Sequence, residues 1–245
     1  MLPLKDDIPT RSFPLVTVTL IAVNLLVYAY EFALWFDPSA GGVRAAERMY
    51  QAFIFDFGLI PCRLGEVCPP RLVAELSGAP APWLTVFTSM FVHGGLFHVG
   101  GNMLYLWIFG NNVEDAMGRG RFVVFYLLCG VAAAGAQYLQ GPSSTVPMVG
   151  ASGAVSGTLG AYLLLYPHAR VWTLIVFGFF WRIVPVPALV VLGFWIVVQA
   201  VNGVLTFGRG EGGGVAFLAH VGGFVAGMAL VYVFRRPGRA PGRWS

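Results

Sequence analysis

The sequence predicts an all-α membrane protein: a bundle of six transmembrane helices with a long external loop between the first two spans. Three observations carry that prediction. Hydrophobic residues make up 57% of the 245 and charged residues only 11%, less than half the roughly 25% typical of soluble domains. The mean hydropathy of +0.74 fits an integral membrane protein better than a soluble core. Uncharged stretches also recur at the roughly 20 residues that a helix needs to cross the hydrocarbon core.

Residues 12–31 form the first expected span. Residues 76–113 carry no charge, and their second half opens the second span, 96–115. The uncharged stretch 122–169 holds most of two spans, 121–140 and 150–166, parted by the turn-forming run Gln140-Gly-Pro-Ser-Ser-Thr145. Residues 185–205 and 212–234 supply the fifth and sixth, and residues 1–245 read as one polytopic domain. The first apolar run is expected to be a retained anchor. Its flank is weakly charged and no small-residue cleavage site follows directly.

Charge asymmetry orients the bundle. With six spans both termini share a side, which then holds Lys5, Arg11, Arg119, Arg121, Arg170, Arg182, Arg235, Arg236, Arg239 and Arg243. The other side holds Arg44, Arg48, Arg63, Arg71 and Arg209. The first set marks the cytoplasmic side, so both termini are expected there. The net charge of +4 is scattered, with no dense basic run to track a nucleic-acid backbone. Partners are therefore the lipid bilayer and membrane proteins, with no nucleic acid. One Lys against fourteen Arg fits a GC-rich bacterial genome, and the plasma membrane is the expected location.

The loop 32–95 is rich in aromatics, among them Trp35, Tyr50, Phe53, Phe57 and Trp83, and is expected to lie partly in the membrane interface. Its prolines (Pro61, Pro69, Pro70, Pro80 and Pro82) are expected to break regular structure. Cys62 and Cys68 flank a short polar segment that would close as a disulfide in an oxidising compartment and stay open in a reducing one. Cys129 reads as a packing residue.

Polar residues inside the spans converge at one depth. His98 and Asn102 open the second span, Ser152 opens the fourth, and His220 lies about two turns into the sixth. All three spans start on the same face. His98 and Asn102 are one helical turn apart and project together. Ser152 would attack a carbonyl while His220 takes its proton and returns it to a leaving amine. The Ser152 backbone N–H, with the His98 and Asn102 side chains, would hold the developing oxyanion. Glu114 and Asp115 lie at the opposite end of the second span, so a dyad is expected with no acidic third member. Gly153 and Gly157 on the fourth span, and Gly223 and Gly227 on the sixth, form two small-xxx-small faces able to bring those helices backbone to backbone.

Each element also has a bland reading. A membrane serine usually bonds its own backbone, a lone histidine usually bridges helices, and Gly-xxx-Gly is a common packing motif. Ala154 stands where the soluble-hydrolase elbow has its last glycine. Ser156 is a decoy one turn deeper. The convergence of all the parts on one face favours the catalytic reading.

These residues resemble the rhomboid family of intramembrane serine proteases from about Thr10 to Phe234. Gly150-Ala151-Ser152-Gly153 is similar to the family's G-x-S-G motif, and Ala219-His220-Val221-Gly222-Gly223 with Gly227 to its A-H-x-x-G-x-x-x-G signature. His98-Val-Gly-Gly-Asn102 resembles its oxyanion motif, Gly110-Asn-Asn-Val-Glu114 its G-x-x-x-E segment, and Phe91-Val-His93 its aromatic-x-His. Two positions depart: Leu84 follows Trp83 where many members have arginine, and Ser156 stands where some have a tyrosine beside the histidine. The resemblance implies a six-helix bundle with a water-filled cavity opening to the outside, and cleavage of a substrate's transmembrane segment near its external end. It implies no metal and no cofactor. A catalytically silent helix-binding relative would lack the nucleophile or base, whereas this chain keeps both. A transporter would be expected to show paired repeats, and none is found between residues 1–120 and 121–245.

Overall fold

The computed structural model describes residues 1–36, 41–206 and 216–236. The chain opens with a strand, β1 (Leu2–Asp6), followed by α1 (Leu15–Trp35). Four shorter helices come next: α2 (Val43–Phe57), α3 (Pro61–Leu64), α4 (Pro70–Glu75) and α5 (Pro82–Thr88). Residues 96–117 are continuously helical, with α6 (Leu96–Tyr105) passing through a π-helical turn at Leu106–Gly110 into α7 (Asn111–Met117). Then come α8 (Arg119–Gln140), α9 (Ser152–Leu165), a hairpin of β2 (Arg170–Phe177) and β3 (Phe180–Pro187), α10 (Ala188–Thr206) and α11 (Phe217–Phe234).

Helices α1, α8, α10 and α11 are each long and apolar enough to cross a membrane. Their outward faces are apolar: Leu26 is 70% exposed, and Val204 and Val233 are each 72% exposed. A water-soluble surface rarely carries such faces. The expected sixth span, 212–234, corresponds to α11, but residues 212–215 lie outside the described residues, as do Arg209, Arg239 and Arg243.

The all-helical expectation needs correction. A three-stranded antiparallel sheet, in the order β1-β2-β3, closes one end of the bundle. Leu2 pairs with Leu174, and Phe177 pairs with Phe180 across the two-residue turn Gly178-Phe179. The expected fifth span, 185–205, therefore begins too early, because residues 185–187 belong to β3. Alternating Val184-Pro-Val-Pro187 suits an edge strand, where the missing proline N–H groups disturb no ladder.

The segment 32–95 also differs from a loop. Its prolines start helices: Pro61, Pro70 and Pro82 occupy the first turns of α3, α4 and α5, where a missing N–H leaves nothing unsatisfied. On α2, Ala46, Tyr50 and Ile54 recur every fourth residue and form its buried stripe. Trp35 and Tyr50 meet edge to face at 5.1 Å, and Tyr30 and Phe53 at 5.4 Å, which fixes α2 against α1. Cys62 and Cys68 are joined by a disulfide.

Short and central, α9 has 10 of its 14 residues buried. At about 1.5 Å per residue it is about 21 Å long, well under the roughly 30 Å of a hydrocarbon core. It packs against α8 and α11 through glycines. A Cβ on Gly223 would overlap the Gly153 carbonyl oxygen, and one on Gly227 would overlap that of Gly157. On the α8 side, Gly157 faces Cys129 and Gly153 faces Ala133. No residue larger than glycine fits where α9 and α11 cross.

At the sheet end three carboxylates, Glu114 buried and Asp6 and Asp115 half-buried, tie chain segments together. Glu114 of α7 caps α1, accepting from the backbone N–H of Val16 at 3.1 Å and from the backbone N–H and hydroxyl of Thr17 at 2.8 Å each. A negative charge there offsets the unpaired N–H groups of the helix start. Asp115 accepts from the Ser12 hydroxyl at 2.9 Å. Asp6 of β1 accepts from the Tyr162 hydroxyl of α9 at 2.5 Å and from Asn112 Nδ2 of α7 at 2.6 Å.

Two predictions follow from this packing. Gly227→Ala should force α11 away from α9 at a cost of about 1–3 kcal/mol, as for other overpacked cores; thermal unfolding in detergent would register it as a lowered Tm. The second concerns Asp6, whose pKa burial raises from 3.8 to about 6, opposed by the Tyr162 hydrogen bond and assisted by Asp7. The folded state thus holds this proton more tightly than the unfolded chain, so Asp6 favours folding most at low pH. That contribution should fade as pH rises through about 6. Melting temperatures taken from about pH 4 to pH 7 should fall along this slope, and Asp6→Asn should flatten it.

Candidate active site

At the end of the bundle opposite the sheet, the backbone leading into α9 is pinned from several directions. Leu59 and Met148 exchange two backbone hydrogen bonds, at 2.9 and 2.7 Å, and Gly150 N–H donates to the Ser89 carbonyl at 2.8 Å. Gly150 adopts φ +117°, a conformation that glycine takes without a steric penalty. This turn delivers Ser152 as the first residue of α9. Residues 59 and 89 both belong to the segment between α1 and α6, which therefore holds the approach to Ser152 in place.

His220 lies in the first turn of α11 and points at Ser152. Its Nε2 is 2.8 Å from Ser152 Oγ. On the far side of the ring, Nδ1 is 2.8 Å from Gln199 Oε1 of α10. An amide oxygen only accepts, so Nδ1 carries the imidazole proton and Nε2 presents a lone pair to the serine hydroxyl. The indole of Trp195 lies beside His220, with ring centroids 5.9 Å apart and planes tilted by 34°. A hydroxyl and a neutral imidazole in such contact can exchange a proton.

His98 and Asn102 of α6 converge on the same place. Gly94 N–H donates to His98 Nδ1 at 3.4 Å, which leaves Nε2 as the protonated donor, and Nε2 faces Gly150. Asn102 Nδ2 also faces Gly150, is buried, and has no hydrogen-bond partner among the described residues. Two side-chain donors therefore point toward the turn just before Ser152. Beside it a small cavity is lined by Met90, Gly130, Ala133, Gly153 and Ala154.

Ser156 is placed differently from Ser152. Its hydroxyl donates to the Ser152 carbonyl at 2.6 Å, one helical turn back, and it contributes to packing. Glu114 and Asp115 sit at the sheet end and hold residues near the start of α1.

Sequence reasoning missed three side chains at this end: Gln199, Trp195 and Glu31. The Glu31 carboxylate, buried on α1, accepts from the His93 backbone N–H at 3.1 and 3.2 Å. The His93 ring meets that of His98 edge to face at 5.2 Å. A signal for Gln199 and Glu31 was available: each is a strongly polar residue inside a largely apolar helix, where an unpartnered group would be costly.

Fold and site together define a polytopic helical membrane protein with a serine hydroxyl and a histidine ring in hydrogen-bond contact at one end of the bundle. A family model described as the Rhomboid domain matches residues 80–237, and the chain belongs to the rhomboid family. It is 33% identical over 152 residues to Rhomboid protease GluP of Bacillus subtilis, covering 62% of this chain and 27% of that protein. It is 30% identical over 176 residues to Rhomboid protein 1, mitochondrial, of Saccharomyces cerevisiae, covering 66% and 47%. With RHOMBOID-like protein 1 of Arabidopsis thaliana it shares 28% identity over 232 residues, covering 91% and 54%. The chain thus spans 27% to 54% of the length of these curated relatives.

Proposed function

We propose that this chain is an intramembrane serine endopeptidase that cleaves membrane-protein substrates in or near their transmembrane segments through a Ser152–His220 dyad. The observation that carries this reading is the 2.8 Å contact between Ser152 Oγ and Nε2 of His220, in a chain of the rhomboid family. Ser152 Oγ attacks the scissile carbonyl carbon as its proton passes to His220 Nε2. The imidazolium then protonates the leaving amine, releasing one product and an acyl-enzyme. Water, deprotonated by the same nitrogen, attacks the ester and frees Ser152. The oxyanion of each tetrahedral intermediate is held by the Ser152 N–H, His98 Nε2–H and Asn102 Nδ2. The cavity walled by Met90, Gly130 and Ala133 suits a small side chain next to the cleaved bond.

Six spans are the topology we adopt: α1, residues 96–117, α8, α9, α10 and α11. In this arrangement the short α9 holds Ser152 beneath the membrane plane, within reach of water from the external side. Two observations support an external site and cytoplasmic termini in the cell membrane. Basic residues such as Arg119, Arg121, Arg170 and Arg235 gather at the sheet end. The Cys62–Cys68 disulfide lies near the Ser152 end, since Cys62 N–H donates to the Ser144 carbonyl in the connection before α9, and it suits an oxidising compartment.

In detergent, a fluorophosphonate probe should label the wild type at Ser152, and Ser152→Ala and His220→Ala should each abolish both labelling and cleavage of a single-span substrate. Persistent cleavage by Ser152→Ala would sink the reading. Asn102→Ala should insert and fold normally yet lose about 10²–10³-fold in kcat, the range for removing one oxyanion donor.

A further inference from the structure

We propose that Gln199 is the positioning residue of the dyad: its amide oxygen holds the His220 imidazole in the one neutral tautomer that can act as a base. This role presupposes the proteolytic reading above. Apart from three residues, α10 is apolar: Gln199, Asn202 and Thr206. Two of these satisfy themselves along their own helix. Asn202 Nδ2 donates to the Val198 carbonyl at 2.8 Å, and Thr206 Oγ1 donates to that of Asn202 at 2.8 Å. Gln199 alone reaches to another helix, and what it meets is His220 Nδ1 at 2.8 Å.

That contact has a chemical consequence. A neutral imidazole carries one proton, on either nitrogen. With the proton on Nε2, His220 would donate to Ser152 Oγ and could accept nothing from it. With the proton on Nδ1, Nε2 is free to take the serine proton. Only the second form lets Nδ1 donate to Gln199 Oε1, so the amide, with its oxygen turned to the ring as here, selects the productive tautomer. When His220 becomes an imidazolium, the same oxygen still accepts from Nδ1–H and keeps the ring from turning. A carboxylate would do this more strongly, but an unpaired charge within a membrane helix is costly. A neutral amide avoids that cost. Trp195, one turn earlier on the same face of α10, packs against the ring, so α10 fixes both the tilt of the imidazole and its proton.

The test combines kinetics with a spectroscopic readout that does not depend on activity. Gln199→Leu keeps the bulk of the side chain and removes the acceptor; it should lower kcat by about 10- to 100-fold, as expected for losing one hydrogen bond to a group that becomes charged, with KM unchanged. Gln199→Glu keeps an oxygen at the same reach and should retain most of the wild-type rate. In ¹⁵N spectra of the histidines, His220 should be protonated at Nδ1 in the wild type and in Gln199→Glu, and should lose that preference in Gln199→Leu. A wild-type kcat in folded Gln199→Leu, or a His220 tautomer that ignores the substitution, would overturn the proposal. Failure of the folded wild type to react with a fluorophosphonate would instead count against the proteolytic reading, and the spectra would still decide the role of Gln199.

Discussion

The backbone contact between α9 and α11 is the constraint on which the site geometry rests. Ser152 and His220 come from different helices, and a 2.8 Å hydrogen bond between them tolerates little error in the separation of those helices. In lipid there is no hydrophobic drive to press helices together, so close packing must come from shape. Two glycine pairs provide it, Gly223 on Gly153 and Gly227 on Gly157, one turn apart. Side chains at these positions would widen the crossing and lift His220 away from Ser152. The same glycines of α9 also meet Cys129 and Ala133 of α8, so the helix that carries Ser152 packs on small residues toward both neighbours. Helix packing and the Ser152–His220 geometry share one cause here.

The rest of the molecule fixes the ends of this contact. At the Ser152 end, Leu59 and Ser89 hold the turn through Gly150, and Glu31 reaches from α1 to the backbone of His93, beside His98. At the other end, Asp6, Glu114 and Asp115 join β1, α1, α7 and α9 through hydrogen bonds to neutral donors. Carboxylates at both ends are thus spent on holding elements together, and the group on the far side of the imidazole from Ser152 is an uncharged amide.

What was legible in the sequence follows from how local each signal is. The family and the helical character of the bundle were readable because Gly-x-Ser-Gly, the His98/Asn102 turn and the glycines after His220 lie within short runs, and because charge-free stretches mark apolar helices. The sheet was not legible. Its first strand pairs Leu2 with Leu174, a contact that no window along the chain contains, and the β-branched run before Ala188 looked like the start of a span. The prolines of residues 61–82 were read as breakers, yet the same fixed φ that ends a helix also suits its first turn. The role of Gln199 is not legible locally because its partner lies 21 residues away on a different helix; in its own neighbourhood it is one of two amides among mostly apolar residues.

The position of β1 has a consequence for the order in which this protein can be completed. Residues 2–6 are synthesised before β2, the strand they pair with, which follows α9 in the chain. Until α7 has been made, α1 begins without Glu114 at its start; Asp6 lacks Tyr162 until α9 has followed, and its strand lacks a partner until β2 does. This strand therefore stays unpaired until the elements up to β2 have been made. Its docking follows the delivery of α9, so β1 is a latch that closes late in assembly.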